Sequence, residues 1–316
     1  MKKFFIGMMA VIAMVATSCE TISDINVVDE GNLATVSFDL GTPQIGSRAE
    51  FSTGEAATHL QYAVYDVDGN ILDKYTVTNG DITGGSKEVK FQLTIGNTYY
   101  VLFWAAAPNA PYNVNLAAKT MEVSYAGAAS NEENRDAFYY YDDFTVERGM
   151  APISAELKRP FAQLNIGTSD YAESKSAGYE VKYAKVRVPV YTTLDFVTGE
   201  ASNKQTVLFD YAAIPTSYDF PVEPTKYQYM AMNYLLMNKT QETVDVTFTY
   251  ATDYDATTGI ATEEKPRTVG SVPVQRNHRT NLYGQLLTGE VVVNVVVKPG
   301  YDLPSEDKDI TNDMQY

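Results

Sequence analysis

A chain of 316 residues is too long for one typical domain and fits two of roughly 130 to 150 residues each. Its 45% hydrophobic and 12% aromatic content, with 24 tyrosines, excludes a disordered chain and leans towards β structure, where Tyr, Val and Thr fit a pleated, half-buried surface. A net charge of −16 would repel a phosphate backbone and argues against nucleic acid as a partner.

Lys2 and Lys3 precede an apolar run, Phe4 to Ala16, which is too short to span a bilayer and has the length of a signal-peptide core. The run ends in ATSC, and Cys19 is the only cysteine, so it has no internal disulfide partner. A lone cysteine behind small residues at the end of an export signal resembles a bacterial lipobox, with Ala16 where a branched aliphatic residue is usual. The resemblance implies removal of residues 1–18, acylation of Cys19, and attachment to a membrane at about 0.8 kcal/mol per buried methylene. An ordinary secretion signal cut near Ala16 is the alternative.

Beyond Cys19 the chain reads as strands and turns. ATVSFDL (34–40) places Val36, Phe38 and Leu40 on one face. The polar link GTPQIGSRAEF (41–51) then carries Arg48 and Ala49 in a place open to proteolysis. DGN (68–70) marks a hairpin between LQYAVYDV and ILDKYTV, each read as a strand. In KEVKFQLTI, Val89, Phe91, Leu93 and Ile95 alternate with polar residues; Gly96–Asn97 reads as a two-residue hairpin turn, with TYYVLFWAA as the returning strand. Residues 108–123 and 227–238 read as short helices, although a buried strand would look the same in the second.

Gly149 and Pro152 interrupt the pattern before a new set of strands, which includes KVRVPVY (185–191), VDVTFTY (244–250) and EVVVNVVVK (290–298). This rhythm predicts an all-β chain of two tandem antiparallel β-sandwiches: a signal at 1–18, then domains at 19–152 and 153–316, with short helices in the connections.

Catalytic chemistry finds little footing. His59 and His278 are the only histidines, so no zinc-site spacing exists. No nucleophile elbow, P-loop or dinucleotide-binding glycine motif is present. The expectation is a protein that is not an enzyme and carries no cofactor. Asp142 and Asp143 could in principle serve a glycosidase, but on a chain with 40 acids adjacent carboxylates read first as a solvated surface. DYDATTGIATEE (253–264) matches an EF-hand loop at Asp253, Asp255 and Glu264, yet Thr258 stands where the sharp turn needs glycine, so it reads as a hairpin tip. Tyrosine runs such as FYYYDDF could stack on sugars, although packing is their commoner fate. Arg276, His278 and Arg279 alternate in RNHRTN and read as a network that orders a turn.

The segment VQRNHRTNLYGQLLTGEVVVNVVVKPGYD (274–302) resembles the closing segment of fimbrillin-like lipoproteins, the type V pilus subunits and their relatives in gut and oral anaerobes. ELKRPFAQLNI (156–166) is similar to the strand that opens their second domain, and the lipobox-like start agrees. The resemblance implies two transthyretin-like sandwiches on an outer-membrane lipoprotein at the cell surface or in a fimbrium. It also implies other fimbrial subunits as partners, a membrane reached through the lipid, and a host or bacterial surface ligand. In polymerising members an arginine-specific protease cuts after the first strand; Arg48, followed by Ala49, occupies that place. Losing that strand, with Val36, Phe38 and Leu40 among its four inward side chains, would open a groove that a strand from another subunit could fill, for a gross gain of roughly 6 to 12 kcal/mol before ordering costs. VVVNVVV, with Val291, Val293, Val295 and Val297, is the candidate for the other half of that exchange, or else closes its own domain. A non-polymerising surface glycan-binding lipoprotein is the rival function.

Overall fold

Alternation of apolar and polar residues sends Val36, Phe38 and Leu40 of β1 (Leu33–Gly41) to one buried side, while Thr35 and Asp39 face water. Val89, Phe91 and Leu93 of β4 (Ser86–Thr94) follow the same rule. The computed structural model describes residues 30–43, 51–216, 227–289, 292–299 and 310–311; Cys19, Arg48, Ala49 and Val291 lie outside them. It pairs β1 antiparallel with β4 from Leu33↔Thr94 to Gly41↔Ser86. On its other side β1 runs parallel to β9 (Ile153–Glu156), from Phe38↔Ile153 to Gly41↔Glu156. Facing this sheet is a second, in the order β3 (Val77–Asp81), β2 (His59–Tyr65), β5 (Thr98–Ala106), β8 (Ala137–Thr145). Phe38 fills the space between the sheets, edge-on to Phe91, Phe103 and Phe144 at 5.9, 5.4 and 5.0 Å.

Two local expectations change here. Gly96–Asn97 closes no hairpin, because β4 and β5 lie in opposite sheets; with φ +85 at Gly96 the turn is a corner between layers, and the Gly96 N–H donates to Val146 O (2.8 Å). β5 is buried on both faces over most of its length, so alternation could not reveal which sheet it joins. ILDKYTV is not one strand either: Ile71 makes a single bridge to Tyr65, Asp73–Tyr75 is a 3-10 turn, and β3 begins at Val77.

The second half repeats the first. β10 (Phe161–Thr168) lies between β15 (Gln228–Leu236), antiparallel, and β20 (His278–Gln285), parallel, as β1 lies between β4 and β9. The facing sheet runs β14 (Gln205–Ala213), β11 (Tyr183–Val190), β16 (Glu242–Ala251), β19 (Lys265–Val274), matching β3-β2-β5-β8 strand for strand. The tandem, mainly antiparallel sandwiches are therefore present, each with one parallel pair. The last strand of each repeat returns beside its first in the same direction, which a crossover from the facing sheet allows and a tight hairpin does not.

Insertions join the halves. The hairpin β6 (Tyr112–Asn115) and β7 (Thr120–Val123) meets β12 (Thr193–Asp195) and β13 (Ala201–Ser202) in one small sheet, ordered β13-β12-β7-β6. The expected helix at 108–123 is thus a hairpin, turned by Asn115 Oδ1 accepting from the Ala118 N–H (2.9 Å) and by Lys119 at φ +55. The expected helix at 227–238 is β15, buried at every position and so without a period to reveal it. Helical turns do occupy connections, among them α1 (Tyr171–Ser176).

One core fills the first sandwich. The other runs across the seam, taking Tyr65, Leu102 and Trp104 from the far face of β2 and β5 together with Phe161, Phe196 and the second half's strands. Ala155 and Leu157 pack in the first core, so the changeover falls at Lys158–Pro160, beyond the boundary expected between 152 and 153.

Candidate functional site

The opening strand is the centre of the first candidate site. Val36, Phe38 and Leu40 are 0%, 1% and 3% exposed, on the face expected. Because β1 is hydrogen-bonded on both sides, its departure would leave unpaired N–H and C=O groups on β4 and β9 above an apolar slot. After Gly41, Thr42 N–H donates to Gly85 O (2.8 Å). At residue 51 the described chain resumes against the second half, with Phe51 edge-on to Tyr229 of β15 at 5.2 Å.

Ser52 and Thr53 are strapped down there by buried polar groups that the sequence reading missed. Ser52, fully buried and left-handed (φ +67), donates from Oγ to Gln163 Oε1 (2.8 Å) and lies 3.0 Å from the Tyr234 hydroxyl. Its carbonyl accepts from Arg159 (2.9 Å), and Thr53 N–H donates to Glu133 Oε1 (3.0 Å). Arg159 and Asp136, both fully buried, form a two-pronged pair at 2.7 and 2.8 Å, with the guanidinium 4.5 Å from the Phe138 ring centroid. Burial, helped by the Asp136 charge, pushes the Glu133 carboxyl up to about 7, against hydrogen bonds from Ser52, Tyr234 and Thr53. The Tyr234 hydroxyl donates to Glu133 Oε2 (3.0 Å). The available signal was the pair Gln163 and Asn165, polar residues alternating inside the otherwise apolar β10.

The second candidate strand is β21 (Val292–Pro299), paired antiparallel with β20 from His278↔Pro299 to Gln285↔Val292. Val293, Val295 and Val297 are half-buried there, and Val293 and Val295 pack on the second core. In this chain the ribbon extends its own sheet, with β22 (Ile310–Thr311) beyond it. The approach to β21 is clamped by Asp170, which accepts from the N–H groups of Leu286, Leu287 and Thr288 and from the Thr288 hydroxyl, at 2.8 to 3.2 Å. Burial alone would raise its pKa, but bonds from Thr168, Thr288 and Leu287 outweigh that and hold it below the usual carboxylate value.

The remaining candidates disperse. Arg276 donates to Met237 O (2.9 Å) and Gly199 O (2.6 Å), and His278 Nδ1 is 2.7 Å from Arg276 O, so RNHRTN orders a turn. Asp255 accepts from Thr257 N–H (2.8 Å) and the Thr258 hydroxyl (2.9 Å) at the tip of the hairpin β17 (Asp253–Asp255) and β18 (Ile260–Thr262). Among the described residues no three His, Cys, Asp or Glu side chains converge as a metal site. Asp142 and Asp143 are neighbours on β8 and project to opposite faces. In the same run Tyr139 packs on Phe196 (5.5 Å), Tyr140 on Phe103 (6.3 Å), and Tyr141 stacks on Tyr100 (5.9 Å).

Fold and site define a tandem β-sandwich protein with a separately linked opening strand. The chain belongs to a family of unknown function, DUF6562, whose model matches residues 28–315. No curated protein matches it. Among solved structures it is similar to the fimbrial anchor protein Mfa2 from Porphyromonas gingivalis, at 11% identity over 84% of this chain and 97% of that one, with a TM-score of 0.43. A fimbrial assembly protein from Parabacteroides distasonis matches at 14% identity over 84% and 97%, with a TM-score of 0.40. A candidate cell adhesion protein from Bacteroides ovatus matches at 12% identity over 84% and 98%, with a TM-score of 0.48.

Proposed function

We propose that this chain is a fimbria-associated adhesion protein of the cell surface, held to the outer membrane by acyl chains on Cys19, which assembles with other subunits by exchange of a β-strand. The observation that carries this reading is the placement of β1: central in its sheet, anchored by Val36, Phe38 and Leu40, and followed directly by the link that contains Arg48. A cut after Arg48 would free β1 while the strap at Ser52 keeps the rest of the chain seated, and an extended segment could then replace it in the slot. The resemblance of residues 274–302 to the fimbrillin closing segment supports the same reading. The role is structural, not catalytic.

Intact-mass analysis of protein recovered from cells, with unboiled gel electrophoresis, tests it. The expected result is a species that begins at Ala49 and a ladder of multimers. Species that begin only at acylated Cys19, with no ladder, would overturn the exchange.

A further inference from the structure

Three connections meet beside Tyr139 of the first half: the β12–β13 turn, the β15–β16 turn and the β19–β20 turn, tied by Arg276 bonds to Gly199 and Met237 and a 3.4 Å contact with the Tyr139 hydroxyl. Gly199 is left-handed (φ +67) and bare of a side chain. The point where a Cβ would stand is 2.5 Å from Lys239 Nζ and 3.6 Å from Arg276 Nη1, so the two cations are no further apart than those distances together. Like charges at such a separation repel. Among the described residues neither cation belongs to an ion pair. Arg276 is 5% exposed, its partners are neutral oxygens, and its Nη2 is buried without a hydrogen bond. A buried charge without a counter-charge is costly, and burial lowers its pKa accordingly.

Beside this pair opens a cavity of about 390 Å³ lined by residues 198–201 and 238–240. Its lining is rich in hydrogen-bond donors. Thr198 Oγ1 accepts from Glu200 N–H (3.1 Å) and keeps its proton to give. Asn238 Oδ1 accepts from Ala201 N–H (3.0 Å), which turns its amide NH2 to other use. The Thr240 hydroxyl and the Lys239 ammonium complete the set; Glu200 is the acidic residue of the lining, and the Asp195 carboxylate accepts from the Thr198 N–H (2.8 Å) in the same turn.

The geometry points to a binding site for a tetrahedral oxyanion, a sulfate or phosphate group, between Lys239 and the hydroxyls of Thr198 and Thr240, with Arg276 supplying charge from behind. This assignment does not rest on strand exchange. It gives a strongly acidic protein a place suited to an anionic ligand, whether a free ion or a group carried on a surface polymer.

Calorimetric titration of the full chain with sodium sulfate and sodium phosphate, against sodium chloride at matched ionic strength, tests the site. The expected result is saturable binding of sulfate or phosphate that weakens about tenfold or more in Lys239→Gln, the effect of losing one charge-assisted hydrogen bond. Glu200→Gln, which removes the carboxylate of the lining, is expected to tighten binding. A sulfated or phosphorylated polysaccharide that binds more tightly than the free ion would mark a polymer-borne ligand, and equal affinity a free ion. Absence of saturable binding, or binding by Lys239→Gln equal to that of the unaltered chain, would overturn the proposal.

Discussion

The first strands of the two repeats, β1 and β10, occupy the same place in their sheets and are held in different ways. Both have an antiparallel neighbour on one side and a parallel neighbour on the other. β1 buries one face and leaves Thr35 and Asp39 in water, whereas every residue of β10 is buried. The outer side chains of β10 are engaged as well: Gln163 by Ser52, and Asn165 by Asn281 (2.8 Å) and Tyr229. What covers the outer face, more than the ladder itself, therefore sets how firmly a first strand is held.

The hardest test of that contrast is Arg159→Ala. It would strand Asp136 as a lone buried charge and remove the anchor of the Ser52 carbonyl, at an expected cost of about 5 kcal/mol in urea unfolding. A cost below about 1 kcal/mol would mean that the strap does not couple the halves. Phe38→Ala should cost about 4 kcal/mol, since three rings lose their common partner. Hydrogen exchange sharpens the comparison: β1 amides should exchange before those of β10, and equal protection would refute the difference in hold.

The carboxyls of Glu133 and Asp170 should respond to pH in opposite directions. Glu133 is raised to about 7 in the folded chain, so its contribution is present below about 4.5 and is lost as pH rises through 7. The span is of order 3 kcal/mol, and Glu133→Gln should flatten it in unfolding measured across that range. Asp170 is lowered, so its contribution is present above the ordinary carboxylate value and lost as pH falls through its own. Asp170→Asn should cost about 2 kcal/mol and loosen residues 286–288 selectively, as read by hydrogen exchange.

Much of the fold was legible because period-two alternation needs one wet face. β1, β4, β11 and β16 show it, and all lie where the sequence places them. The signal fails where both faces are covered, as in β5 and β15, since an apolar run then states burial but not direction or partner. The face of β1 that carries Val36, Phe38 and Leu40 was readable for the same reason. The strap was not, because Ser52, Glu133, Asp136, Arg159 and Tyr234 are scattered along the chain and only tertiary contact brings them together. Parallel pairing within each repeat was likewise hidden, because neighbouring residues carry no record of which distant strand returns beside the first.

The small sheet that takes β6 and β7 from one repeat and β12 and β13 from the other has a mechanical consequence. Tension applied between the two sandwiches must shear or unzip its inter-strand bonds from Thr193↔Glu122 to Asp195↔Thr120 before the seam can gape. Such a stitch resists hinging at the seam, so a pull on one sandwich passes to the other through the β7–β12 ladder before any waist can flex.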